Sequence, residues 1–163
     1  MTGASSWSFG EQDSHRIQGI LRGFLGETNA RTALIVDRTG QLVATVGEAP
    51  AFDPTVFASL TAADFSANDQ LARMLGEAEF GTLFHQGERE SMYLADVARR
   101  VILVVLFDNR TTLGLVKLRV KPAVGQLTQV FTEMFERDGA GAPGVESAFL
   151  GEAEDEIDKL FGP

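Results

Sequence analysis

The sequence contains no cysteine, so it can form neither disulfides nor a thiolate metal site. Histidine is nearly as scarce. His15 lies near the start, and His85 sits at the end of a strand candidate, where a structural hydrogen bond is the favoured role. Long apolar runs are missing too. The longest, Val101–Phe107, falls far short of the roughly 18–20 residues that span a bilayer. The first ten residues, MTGASSWSFG, lack the basic start and apolar stretch of a signal peptide, so a cytoplasmic protein without membrane insertion is the expectation. Positive charge is in deficit: 14 Lys and Arg against 23 Asp and Glu give a net charge of −9. That disfavours nucleic acid and anionic membranes, both of which call for a basic patch. No phosphate loop of the Gly-x-x-x-x-Gly-Lys-Ser/Thr type occurs, and the acidic residues lack the spacing of a calcium loop. No catalytic residue, metal site or cofactor is therefore expected.

What is present has the composition of one soluble domain, with 163 residues, 44% apolar and 23% charged. Residues 1–10 are small and polar and read as a flexible start. From Glu11, Ile17, Ile20 or Leu21, Phe24 and Leu25 recur at helical spacing, and Thr28 and Asn29 end that helix. Thr32–Asp37 and Gln41–Val46 read as strands joined by a short Gly-containing turn, hence a hairpin. Asp53 and Pro54 open a second helix as N-cap and first residue, running to about Gly76. Its buried stripe is expected to be Phe57, Leu60, Ala67, Leu71, Met74 and Leu75. Three strand candidates follow: Phe80–His85, Ser91–Val97 and Val101–Phe107.

Leu113–Val120 can alternate as a strand, but Leu113, Val116, Val120, Val124, Leu127, Phe131 and Met134 share one helical face. The helix explains more residues, and it is expected from about Thr111 to Arg137. Pro122 inside it should kink it or mark an irregular turn. Residues 138–146 have the composition of a flexible linker. Their Gly139-Ala-Gly141-Ala-Pro-Gly144 matches a dinucleotide fingerprint in letters, but it follows a helix and has no βαβ unit around it. Residues 147–163 form an acidic amphipathic tail. Residues 145–163 hold six acids and one lysine, more than half of the chain's net charge.

Several stretches resemble the Roadblock/LC7 domain family, and within it the MglB-type members. These are Val36–Leu42 in the first hairpin, Ser59–Ala63 and Leu71–Glu77 in the second helix, and Phe80 with Phe84–Glu88 and Met92-Tyr93 around the third strand. The most specific is Phe107-Asp108-Asn109-Arg110-Thr111-Thr112-Leu113-Gly114-Leu115 and its continuation to Arg119. Together they span about Ile17 to Phe135. The resemblance implies an α+β sandwich over residues 11–137, in the order α-β-β-α-β-β-β-α. Its five-stranded antiparallel sheet carries the central helix on one face and the first and last helices on the other. A short C-terminal amphipathic helix is added.

The resemblance also implies a homodimer made by pairing central helices and joining edge strands, for which Ala58, Ala62, Ala63, Ser66 and Ala67 are suitably small. MglB-type dimers act on a Ras-like small GTPase of the MglA type in its GTP state. They accelerate hydrolysis by holding the GTPase's own catalytic residues in place, in the control of cell polarity and motility. Recruitment to cell poles would follow. On this reading Ser59, Ala63, Ser66, Gln70 and Arg73 form the GTPase-binding surface. Asp69 and Gln70 are bulkier than the family's usual residues there and bear on partner choice. An arginine finger at Arg110 is disfavoured against a surface arginine near a helix start. In the tail, Ile157, Leu160 and Phe161 are candidates for docking on the GTPase or on a response-regulator receiver domain. The alternative function is a dimeric scaffold without effect on hydrolysis. A small-molecule sensor is the weakest reading, since no polar cluster falls inside the expected core.

Overall fold

The computed structural model describes residues 10–139. The expected tail contacts at Ile157, Leu160 and Phe161 lie outside the described residues. Eight elements follow in order: α1 (Glu11–Thr28), β1 (Thr32–Asp37), β2 (Leu42–Gly47), α2 (Pro54–Met74), β3 (Thr82–Gln86), β4 (Ser91–Val97), β5 (Val101–Phe107) and α3 (Leu113–Gly139). The strands form one antiparallel sheet in the order β2-β1-β5-β4-β3.

Side chains alternate across the sheet, and this alternation sorts the core into two layers. Ala33, Ile35, Tyr93, Ala95, Leu103 and Val105 face α1 and α3, where Ile17, Leu21, Phe24, Val116, Leu127 and Phe131 meet them. Leu34, Val36, Leu94, Ile102 and Val104 face α2 and its Ala58, Ala62 and Phe65. Thus β1 and β5 are buried on both faces, which is why both read as near-continuous apolar runs. The expected α+β sandwich, with one helix on one face and two on the other, is the observed architecture.

The helix ends follow their sequence signals. Asn29 closes α1 in a left-handed conformation at φ 64°, its N–H donating to the Leu25 carbonyl at 2.8 Å. After β5, the Asp108 side chain accepts from the Arg110 N–H at 3.0 Å, and the Thr112 hydroxyl caps α3 by accepting from the Leu115 N–H at 3.2 Å. α3 runs unbroken through Pro122, which is exposed. The Leu118 carbonyl that loses its usual donor can therefore turn to water. Antiparallel α1 and α3 are tied at one end by Arg16–Glu133 and Arg137–Asp13, and at the other by Arg119–Glu27.

Two expectations need correction. β3 begins at Thr82, not Phe80, because Gly81 takes φ +79° and turns the chain into the strand. The stripe expected to be buried on α2 is also wrong: Leu60, Leu71, Met74 and Leu75 are 66%, 56%, 82% and 74% exposed, and Ala67 is exposed too. The buried stripe is Ala58, Thr61, Ala62, Phe65, Asn68 and Ala72. Small residues bring the helix close to the sheet, and Phe65 fills the space between them.

Candidate interaction surface on the central helix

α2 starts where the sequence places its cap. The Asp53 carboxylate accepts from the Thr55 N–H at 2.9 Å, and Pro54 occupies the first turn. Its seat on the sheet is fixed from both sides. On one side the β1–β2 turn presses against it. An added Cβ on Gly40 would lie 3.1 Å from the Ser59 Cα, and Gly40 also has φ +97°, so glycine is required twice over. The turn is organised by the buried Asp37, whose carboxylate accepts from the N–H groups of Thr39 and Gln41 and from the Thr39 hydroxyl at 2.7–3.0 Å.

Arg38, next in the turn, reaches under α2. It pairs with Asp69 of α2 at 2.7 Å and with Asp96 of β4, and its guanidinium stacks 4.9 Å from the centre of the Phe65 ring. On the other side of α2, Asp64 meets His85 Nε2 at 2.6 Å, and the Asn68 amide donates to the Thr82 carbonyl. His85 has the structural role expected of it.

The outer surface of α2 divides lengthwise. One strip is apolar: Val56, Leu60, Ala67, Leu71 and Met74 recur every three or four residues and are exposed. The helical period turns it toward the side where Asp64 and Asn68 meet β3, an edge strand with one hydrogen-bonding row unpaired. The second strip holds Ser59, Ala63, Ser66, Gln70 and Arg73, all exposed. These five share one helical strip on the flank nearer the β1–β2 turn. Asp69 does not protrude into it, since Arg38 draws its carboxylate inward. Ala58 and Ala62 do not belong to the outer face either; they pack on the sheet.

Beside the C-terminal half of this strip lies a groove of about 280 Å³, lined by Arg38, Ser66, Asp69, Arg73, Glu79 and Arg99. Arg99 reaches it from the β4–β5 turn, where Ala98 and Arg99 both take left-handed conformations at φ 55° and 59°. Side chains rarely adopt that geometry in pairs. The Asp96 carboxylate accepts from the Arg99 N–H at 3.1 Å and holds the turn. Sequence reasoning missed Arg38, Glu79 and Arg99 as groove residues. A three-residue turn, Ala98-Arg99-Arg100, that lacks Gly or Asn between strong strands is the one signal that could have flagged Arg99.

Arg110 lies elsewhere, near the start of α3. It is bound by Asp108 at 3.0 Å and by Glu48 at 2.7 Å, which raise its pKa above the ordinary value and depress those of both carboxylates. Among the described residues no group of three metal-ligating side chains occurs, and no helix is long and apolar enough to cross a membrane.

The Roadblock/LC7 domain family matches residues 17–107, more than half of the chain and every strand of the sheet. The chain belongs to the Roadblock/LC7 family. Among solved structures, Myxococcus xanthus MglB is 42% identical, with a TM-score of 0.70 over 72% of this chain and 96% of its own. The gliding protein MglB of Thermus thermophilus is 35% identical, with a TM-score of 0.73 over 78% of this chain and 97% of its own. A further MglB, described as having a tetrameric arrangement, is 35% identical, with a TM-score of 0.74 over 79% and 97%. No curated protein sequence matches the chain. The similarity to MglB thus covers nearly the whole of those relatives and most of this Roadblock/LC7 chain.

Proposed function

We propose that this chain is a homodimeric regulator of a Ras-like small GTPase of the MglA type, and that it accelerates GTP hydrolysis without catalytic residues of its own. The observation that carries the reading is the likeness to MglB at 42% identity over 96% of that relative. The division of α2 into two strips gives it a physical form. The apolar strip, together with the β3 edge, suits a second copy. Four exposed large apolar side chains at helical spacing, Val56, Leu60, Leu71 and Met74, cost solubility unless covered, and an open edge strand invites pairing. The strip of Ser59, Ala63, Ser66, Gln70 and Arg73 stays free in such a pair and would meet the GTPase. A homodimer built this way has two-fold symmetry and presents this strip from both copies.

Activation would work by position. A Ras-like GTPase hydrolyses slowly until its water-orienting residue and a charge-neutralising arginine are held in place. Arg110 is poorly suited to act as a supplied finger, because two carboxylates already hold it. The gliding relative favours motility as the setting; cell polarity and recruitment to cell poles are part of the proposal through the MglB resemblance alone.

The test is single-turnover GTP hydrolysis by an MglA-like GTPase from the same organism, with and without this protein. Strong acceleration that Ser66→Arg abolishes supports the reading and its surface. Binding without acceleration would replace it with a dimeric scaffold, a reading favoured only by the exposed Gln70, a departure from the usual residue of the family.

A further inference from the structure

The sheet face opposite α2 carries a second groove, this one apolar. It runs between α3 and the outer strands, with a volume of about 630 Å³. Tyr93 and Ala95 of β4 form its floor, and Val124 and Leu118 of α3 form its wall. Leu118, in the second turn of α3, is 64% exposed. At its rim stand Lys117 and Lys121, one helical turn apart. The chain has only three lysines, so this groove holds both of those in the described body. No carboxylate of the described residues pairs with either, although their neighbour Arg119 on α3 pairs with Glu27.

We propose that this groove receives the acidic C-terminal segment of the same chain, Glu152–Phe161. The two are complementary in charge and pattern. The segment carries Glu152, Glu154, Asp155, Glu156 and Asp158 with Ile157, Leu160 and Phe161 at helical spacing, and the groove offers an apolar floor under two unpaired ammonium groups. The chain is long enough to return. From Gly139 back to Lys121 is 18 residues of helix, about 27 Å. The 17 residues from 140 to 156 can span roughly 56 Å when extended. Tethering places the segment at an effective concentration on the order of millimolar, so even weak contacts keep it docked. Docking shields Leu118 and keeps the acidic segment from other basic surfaces until a competitor displaces it. Because this face is opposite α2, the contact is independent of the GTPase reading.

The scarcity of lysine makes the test clean. Zero-length carbodiimide cross-linking of the full-length protein, followed by peptide mapping, should join Lys117 or Lys121 to a carboxylate of residues 152–158. A mixture of isotopically light and heavy protein should show the link within one chain. Leu160→Ser/Phe161→Ser keeps every charge but should lose the cross-link, and should also lose protection of residues 113–124 from hydrogen exchange. Thermal melts of the same variant confirm that the body stays folded. Three results would overturn the proposal: no lysine–tail link, a link of undiminished yield in the serine variant, or links only between chains, which would assign the groove to a second copy. Protection of 113–124 that arises only on adding a GTPase would also overturn it.

Discussion

Arg38, in the turn after β1, and Asp69, in the middle of α2, are joined by a 2.7 Å ion pair. It locks the central helix to the end of the sheet. Asp96 takes the other side of the same guanidinium, and both carboxylates are mostly shielded, with side chains 17% and 13% exposed. Replacing Arg38 by Met removes the shared cation and strands two carboxylates. A loss of about 2 kcal/mol is expected, below the range for fully buried pairs because these retain some solvent. Urea denaturation should show a lower midpoint with an unchanged slope.

Gly40→Ala should also destabilise, by about 1–3 kcal/mol. The added methyl meets the Ser59 backbone, and φ +97° disfavours any side chain. Since the clash falls on α2, the proposed GTPase activation should decline along with the melting temperature.

The β4–β5 turn gives a change of opposite sign. Ala98→Gly removes a side chain from a left-handed position and should stabilise by roughly 1 kcal/mol. A calorimetric melt is sufficient to check it, and a lower melting temperature would refute the strain assigned to this turn.

Leu60→Asp/Leu71→Asp should yield a folded monomer. Both side chains are already exposed in the single chain, so the cost falls on association and not on the core. Light scattering reads the mass, and an unchanged dimer would remove the apolar strip from the proposed interface.

Acid should loosen the α1–α3 contact. Arg137 holds Asp13 below its ordinary 3.8, and Arg16 holds Glu133 below its ordinary 4.5. Carboxylates depressed in this way contribute stability that is complete above about pH 5 and is lost as pH falls through the folded values. Urea midpoints taken from pH 7 down to pH 3 should fall most steeply below pH 4.5, and Asp13→Asn should flatten part of that slope.

Much of the fold was legible because its signals are local. β1, β4 and β5 have the boundaries expected of them, since each is an apolar run closed by a turn. The caps at Asp53, Asn29 and Thr112 are short-range hydrogen bonds that residue type alone announces. The second helix was misjudged because it bears two competing stripes. One has the larger side chains, Leu60, Leu71 and Met74, and hydrophobicity alone favours it. The other has Ala58, Ala62 and Ala72 around Phe65 and wins because a helix crossing a sheet closely needs small residues. An exposed apolar stripe has the same pattern as a core, and only the sheet beneath decides between them. Arg38 was illegible for a similar reason: its partners lie 31 and 58 residues away.

The central pairing of β1 with β5 has a kinetic consequence. Its register joins Thr32 to Leu106 and Asp37 to Val101, across more than sixty intervening residues. The β1–β2 hairpin and the β3–β4–β5 meander can each form from neighbours, while their union must close a long loop before any contact repays it. α2 lies within that loop. The surface proposed for partners is therefore seated on the sheet in a late step of folding, and on that proposal a nascent chain should be unable to engage a GTPase until both halves of its sheet have met.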